Sequence, residues 1–504
     1  MKRRNLLRIF LLSIFTFIFG WIIKKDNDNT IIQLGSSEEV TGNNRKSDTN
    51  EIKFLTEQFA ETGADLIQRG INVMQPPYNA PANGTDDDTP AFLSACSDLA
   101  SRGGGVLYIP KATFSFISNE KIEIPSNVRV ICNGKLTFPN TRTKELFLII
   151  NKENIVIEGL NVDGGFTDPT QMFSDSCHCL VIKSSKNVFV SKSNFKNVKG
   201  DGLYIGRDYT LATPTHSENV VVEYCNFHNT KRNAFAMVTG KKIKFMKNVI
   251  TSDNKDWNIS SIIDIEPNNT SEVFEDVLIE ENFVQAVSKK VICSNVGVGK
   301  EPKIFKNVKI NNNHIICINK ADGTVTNYAI VFSGAGTGDN ISIKDNLIEG
   351  EVSNGIQANR VLNRLTIEGN EIKNAKTNGI LVTYNVDNIK TNKNKVTLAA
   401  GTTGRCIHLY SNTGTNYDVS ENIVDNGGSM NEAVFVNGNN YATKNVNANR
   451  NKITNGAKSL RFYQVETLRY KDNECTGNII NSGNTNMVSR DNTKNGVFLS
   501  DTTA

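Results

Sequence analysis

Residues 187–198 read NVFVSKSNFKNV, and the chain keeps returning to that pattern. Related copies are NIVIEGLNVDG from Asn154, NVVVEYCNFHN from Asn219, NVKINNNHII from Asn307, NISIKDNLIEG from Asn340, RLTIEGNEIKN from Arg364 and YDVSENIVDN from Tyr417. Each copy is a short alternating run, then an Asn, a large apolar residue, and another Asn or Asp. Aligned this way, the marker falls at Asn161, Asn194, Asn226, Asn248, Asn282, Asn313, Asn346, Asn370, Asn394, Asn422, Asn451 and Asn473, in steps of 22 to 34 residues. A period of that length marks a solenoid.

The alternation identifies the kind of solenoid. Val, Ile and Phe point one way and Lys, Ser, Glu or Asn the other, so each run is a strand with one buried face. No amphipathic helix of useful length separates the copies. A second strand follows each marker, as in GLYIG from Gly202, AFAMV from Ala234, IIDIE from Ile262 and CIHLY from Cys406. Two or three strands per turn, cornered by Asn, Gly and Asp, predict an all-β chain wound as a parallel β-helix. Asn side chains at one corner are expected to bond from rung to rung as a ladder.

Composition agrees with a thin tube. Apolar residues make up 38% of the 504, and the net charge is only +4. No basic run interleaved with aromatics occurs in the repeats, so nucleic acid is not an expected partner. The nine Cys are irregularly spaced, with no disulfide framework. Cys177-His178-Cys179 lacks a second pair at ligand spacing, so no metal site is assigned.

Residues 1–25 hold Lys2-Arg3-Arg4 and the apolar run Ile9 to Ile23. They read as a signal peptide or as a membrane anchor acting through residues 5–23. RRNLLR also has the look of a twin-arginine export signal. Residues 26–72 read as a polar linker with a short helix in Glu51 to Arg69. Residues 73–150 read as a cap with the first rungs, 151–486 as the coil, and 487–504 as a tail where the repeat fades.

In the cap, Asn83-Gly84-Thr85-Asp86-Asp87-Asp88-Thr89-Pro90-Ala91-Phe92 leads into a helix expected over Pro90 to Ala100, with the Asp cluster capping its N-terminus. Gly103-Gly104-Gly105-Val106-Leu107-Tyr108-Ile109-Pro110 then turns into a buried strand. This pairing resembles the N-terminal signature of the pectate-lyase-like superfamily, common in phage tailspikes and neck-appendage proteins. One departure is Lys111-Ala112-Thr113-Phe114, where that family usually has Gly before the aromatic. The resemblance implies a right-handed, single-stranded parallel β-helix, a capping helix over its open end, a polysaccharide or wall-polymer substrate, and a homotrimer.

Chemistry is expected on the outer face of the strand Ile262-Ile263-Asp264-Ile265-Glu266-Pro267. With Leu203, Phe235, Ile263 and Ile265 inward, Tyr204, Ala236, Asp264 and Glu266 project outward on neighbouring rungs. Two acids two residues apart repel, which separates their pKa values and suits general acid and base work at a glycosidic bond. Arg232, Lys255 and Asp201 are near in sequence register. The DIEP motif and the preceding Arg232-Asn233 also resemble the phage-type members of the superfamily, which implies catalytic roles for Asp264, Glu266 and Arg232, and weaker binding roles for Asp201 and Asn233. Tyr204, Lys255, His408 and Tyr410 complete the substrate-binding set. Further along the face come Gln357, Asn359, Thr383, Phe435, Asn437, Arg461 and Tyr463, with aromatics suited to sugar rings.

The expected function is acid–base hydrolysis of a surface or wall glycan, outside the cell, at the cell surface or on a virion. Open beside it stand a lyase acting by β-elimination on a uronate, with Arg232 or Lys255 as base and calcium on the acids, a wall teichoic acid hydrolase, and a spike or adhesin that only binds glycan. For the hydrolase no cofactor is expected.

Overall fold

The computed structural model describes residues 21–26, 29–34 and 70–504, apart from 169, 253–258, 320–325, 385, 411–413, 439–442, 501 and 504. The chain divides into two units, Met1–Glu61 and Thr62–Ala504. Of the first, an antiparallel hairpin is described, Trp21–Asp26 with Asn29–Leu34. The rest of the signal or anchor segment and the helix expected in Glu51 to Arg69 lie outside the described residues. No helix among the described residues is long and apolar enough to cross a membrane.

The second unit is a parallel β-helix of three strand columns. One rung comprises Leu180–Lys183, Lys186–Ser191 and Asn194–Val198. The next comprises Leu203–Gly206, Glu218–Glu223 and Asn226–Thr230, each strand paired in parallel with its counterpart. Register holds residue against residue, so Val188, Val220, Ile243 and Val277 stack in one file and are fully buried. Phe195 and Phe227 stack likewise at 5.2 Å. β-Branched and aromatic residues suit such files, because each inward side chain meets its like on the next rung.

The corner between the second and third columns carries the ladder. From Asn248 to Asn492 each Asn Nδ2 donates to the next Asn Oδ1 at 2.8–3.1 Å. The same oxygen accepts the preceding rung's backbone N–H, for example Asn346 N to Asn370 Oδ1 at 3.1 Å. The residue just before each ladder Asn is left-handed, as at Lys247, Glu281, Asn312, Asp345 and Lys393, with φ between 54° and 57°. That conformation costs L-residues about 1–2 kcal/mol, which the buried amide bonds offset.

Three expected markers are corrected. Asn161, Asn194 and Asn226 pair in register with Val249, one place past the ladder. Ser193 and Cys225 hold the ladder position there: Ser193 Oγ accepts Leu160 N–H, and Cys225 N–H donates to Asn248 Oδ1. A second, outer stack joins Asn127, Asn154, Asn187 and Asn219 at 2.9–3.0 Å. The last three open copies of the repeat, and all four are left-handed at 53–59°.

The helix Thr89–Ser101 covers the N-terminal end, with Phe92 buried edge-on against Phe114 and Phe116 at 5.5 and 4.9 Å. Gly104, at φ 129°, lies so close to the Asn127 carbonyl that a Cβ would sit 2.3 Å from it. The Asp cluster does less capping than expected. Asp88 is the N-cap but makes no side-chain bond to the helix. Its carboxylate instead accepts Ala82 and Ser115 N–H, while Asp87 accepts Thr89, Ile117 and Ser118 N–H. These acids tie the loop to the next rungs. Parallel pairing continues past Met487 to Lys494. The chain then turns back, Val497–Phe498 on Thr493–Lys494 and Thr502–Thr503 on Met487–Arg490, both antiparallel. That covers part of the last edge, which would otherwise template further strands.

Candidate active site

The first column's outward face bears a groove of about 270 Å³, lined among others by His178, Tyr204, Arg232, Asp264, Glu266 and Asn268. Strand alternation puts these groups there. Leu203, Phe235, Ile263 and Ile265 are fully buried in the core, so their neighbours Tyr204, Ala236 and Asp264 face out in one register file. Asp264 nonetheless keeps only 9% of its surface exposed. Burial pushes its carboxyl up to about 7, Glu266 adds to the rise, and Arg232 opposes it. No ion pair within 4 Å closes on Asp264 or Glu266 among the described residues.

Arg232 is anchored from below. Its Nη1 lies 2.5 Å from Asp201 Oδ2 and its Nε 3.1 Å from Asp175 Oδ1. Asp201 is wholly buried and also accepts the Asn233 N–H and Nδ2 at 3.1 and 2.9 Å. Burial works against the Arg232 charge, but Asp201 and Asp175 outweigh it and its pKa is raised. His178 Nδ1 accepts the Asp201 N–H at 3.0 Å, which puts the ring proton on Nε2. Burial lowers the His178 pKa, so the ring is neutral at pH 7, stacked on Tyr204 at 5.3 Å and 12°.

The structure therefore brings together Asp264, Glu266, Arg232, Asp201, Asn233 and Tyr204. Lys255 lies outside the described residues. His408 and Tyr410 sit on the same face, in the files of Asp264 and Glu266, but five rungs on. Sequence reasoning missed His178, whose neighbours Cys177 and Cys179 are buried in the core, and missed Asp175 and Glu145, which also line the groove. The strand LVIK that follows places His178 just before an outward file, a signal that was available. Asp175 lies in an irregular stretch with no period to read. Beside the lining residue Asn268, Tyr209 Oη donates to the buried Glu272 at 2.5 Å, with Arg207 4.5 Å over the Tyr209 ring.

No protein-family model matches the chain. The tailspike protein of E. coli bacteriophage HK620, solved with a pentasaccharide, superimposes with a TM-score of 0.59 at 14% identity, covering 84% of this chain and 81% of that one. A mutant of it with the same ligand reaches 0.62 at 13% over the same shares. The fold is that of a phage tailspike β-helix. In sequence, the chain is similar to the SPbeta prophage-derived uncharacterized protein YomE of Bacillus subtilis (strain 168), 25% identical over 271 residues. That match spans 49% of this chain and 40% of the relative, so well under half of the longer protein is matched. The tailspike likeness speaks to the coil alone, and the groove chemistry stands on this chain's own residues.

Proposed function

We propose that this chain is a virion-associated or surface-displayed polysaccharide depolymerase that hydrolyses a glycosidic bond with Asp264 and Glu266. The observation that carries the reading is a nearly buried carboxyl, pushed up to about 7, beside a second acid on an open groove. Asp264, protonated near neutrality, gives its proton to the leaving glycosidic oxygen. Glu266 takes a proton from the water that attacks the anomeric carbon. Arg232 uses the Nη2 left over from its two carboxylates to hold a substrate oxygen, with Asn233 and Tyr204 beside it. Tailspikes of this fold solved with bound oligosaccharide support a glycan ligand. The prophage relative supports a virion setting. The coil is taken as right-handed, the hand of nearly all parallel strand–crossover–strand connections.

The raised pKa of Arg232 disfavours elimination with that residue as base. Digestion of bacterial surface and wall polymers separates the readings. New reducing ends without the ultraviolet absorbance of an unsaturated uronate support hydrolysis. That absorbance would mean a lyase, and binding without product a spike. Full turnover in both Asp264→Asn and Glu266→Gln would discard the assignment of the pair.

A further inference from the structure

A second built cluster lies downstream on the same face. Glu432 is 2% exposed, yet it carries two cations. Its Oε2 accepts Arg405 Nε and Nη2 at 3.1 and 2.9 Å, and its Oε1 accepts Arg461 Nη1 at 2.9 Å. The arginines come from the rungs on either side, since Arg405, Glu432 and Lys458 follow one another in register. Both guanidiniums lie on the Phe435 ring, 4.9 and 5.3 Å from its centre, and His408 stacks on it at 5.2 Å.

One carboxylate facing two guanidiniums leaves a net positive charge. The adjoining registers bring Asn378, Leu381, Tyr410 and Asn437, and no further acid. Arg405 Nη1 and Arg461 Nη2 make no bond among the described residues, and Arg461 Nε is buried without a partner there. The two cations share the two oxygens of one acid, so a single negative charge is set against two positive ones. Here a buried acid holds two planar forks in place, already ordered, over an apolar ring. Such forks match a carboxylate or a phosphate.

We propose that Arg405 and Arg461 form a distal subsite for an anionic group, a sugar carboxylate or a phosphodiester, on the same polymer that reaches Asp264. The proposal rests on the glycan-binding reading of this face. Phe435 is six register steps from Asp264, or about 29 Å at ~4.8 Å per rung. The ligand is therefore a chain with a charged repeat.

The test is equilibrium binding to the full chain carrying Asp264→Asn, so that the probes are not cut. They are polygalacturonate, its carboxyl-reduced neutral form, and a poly(glycerol phosphate). One acidic polymer should bind about tenfold or more tightly than the neutral one, the gain of one charged hydrogen-bonding pair. Which acidic probe wins tells carboxylate from phosphate. Adding Arg461→Gln should remove the preference, and Arg461→Lys should restore only part of it. Equal binding of acidic and neutral polymers, a preference that survives Arg461→Gln and Arg405→Gln alike, or no binding of either acidic probe would each overturn the proposal. Turnover is read separately. Full turnover in both Asp264→Asn and Glu266→Gln sinks the catalytic pair and leaves this measurement standing.

Discussion

Burial makes Asp264 an acid that holds its proton near neutrality. Its carboxyl ordinarily titrates at 3.8 and here titrates at about 7. The folded chain then binds that proton more tightly than the unfolded chain, so the contribution of Asp264 to stability is greatest below pH 3.8 and falls as pH rises towards 7. Asp264→Asn should therefore be more stable than the native chain at pH 8, by at most about 4–5 kcal/mol at ~1.4 kcal/mol per pKa unit. Below pH 4 the difference should vanish, as urea melts at the two pH values would show. For the activity, kcat/KM should fall above pH about 7 as the general acid loses its proton. Asp264→Asn should lower it by roughly 10²–10⁴. The pair was legible because strand alternation sends both acids out. The anchoring of Arg232 was not. Asp175 comes from an irregular loop, and Asp201 meets Arg232 from 31 residues away.

At the scale of elements, the ladder and the cap hold different parts of the coil. Asn370 accepts Asn346 N–H and Nδ2 and donates to Asn394 Oδ1 and Ile343 O. Asn370→Ala would orphan several buried groups at once, and should cost about 2–4 kcal/mol in denaturant unfolding. The outer file of asparagines, which resumes further along the coil at Asn388, Asn416 and Asn445, is the control. Asn416→Gly breaks two bonds that are exposed, keeps the left-handed turn, and should cost under about 1 kcal/mol. At the cap, Phe92→Ala should cost about 3–5 kcal/mol and loosen the helix over the sheet edge. Size-exclusion and light scattering should then show aggregation. The repeat itself was plain in the sequence. The one-place slip at Asn161, Asn194 and Asn226 was not, because Asn occupies both the ladder corner and the position after it.

Over the whole molecule, register turns sequence separation into a linear scale. Residues about 30 apart in sequence sit one rung apart, so acids at Asp264 and arginines at Arg405 and Arg461 become two stations on one face. A polymer that engages both gains from the second contact at high effective concentration. A length series of the preferred acidic oligomer should show affinity stepping up once the chain spans about 29 Å, with the step weakened by salt. By itself the sequence determined the coil, its period, its capping helix and the outward direction of Asp264 and Glu266. Each of these follows from local alternation and turn chemistry, which act within one rung. Tertiary structure alone decided that Asp264 is nearly buried, that Asp201 and Asp175 lock Arg232, and that one carboxylate holds two arginines. Those outcomes depend on which rungs lie against each other and how deeply each side chain sinks between them, and insertions of uneven length between the copies hide that stacking from the linear chain.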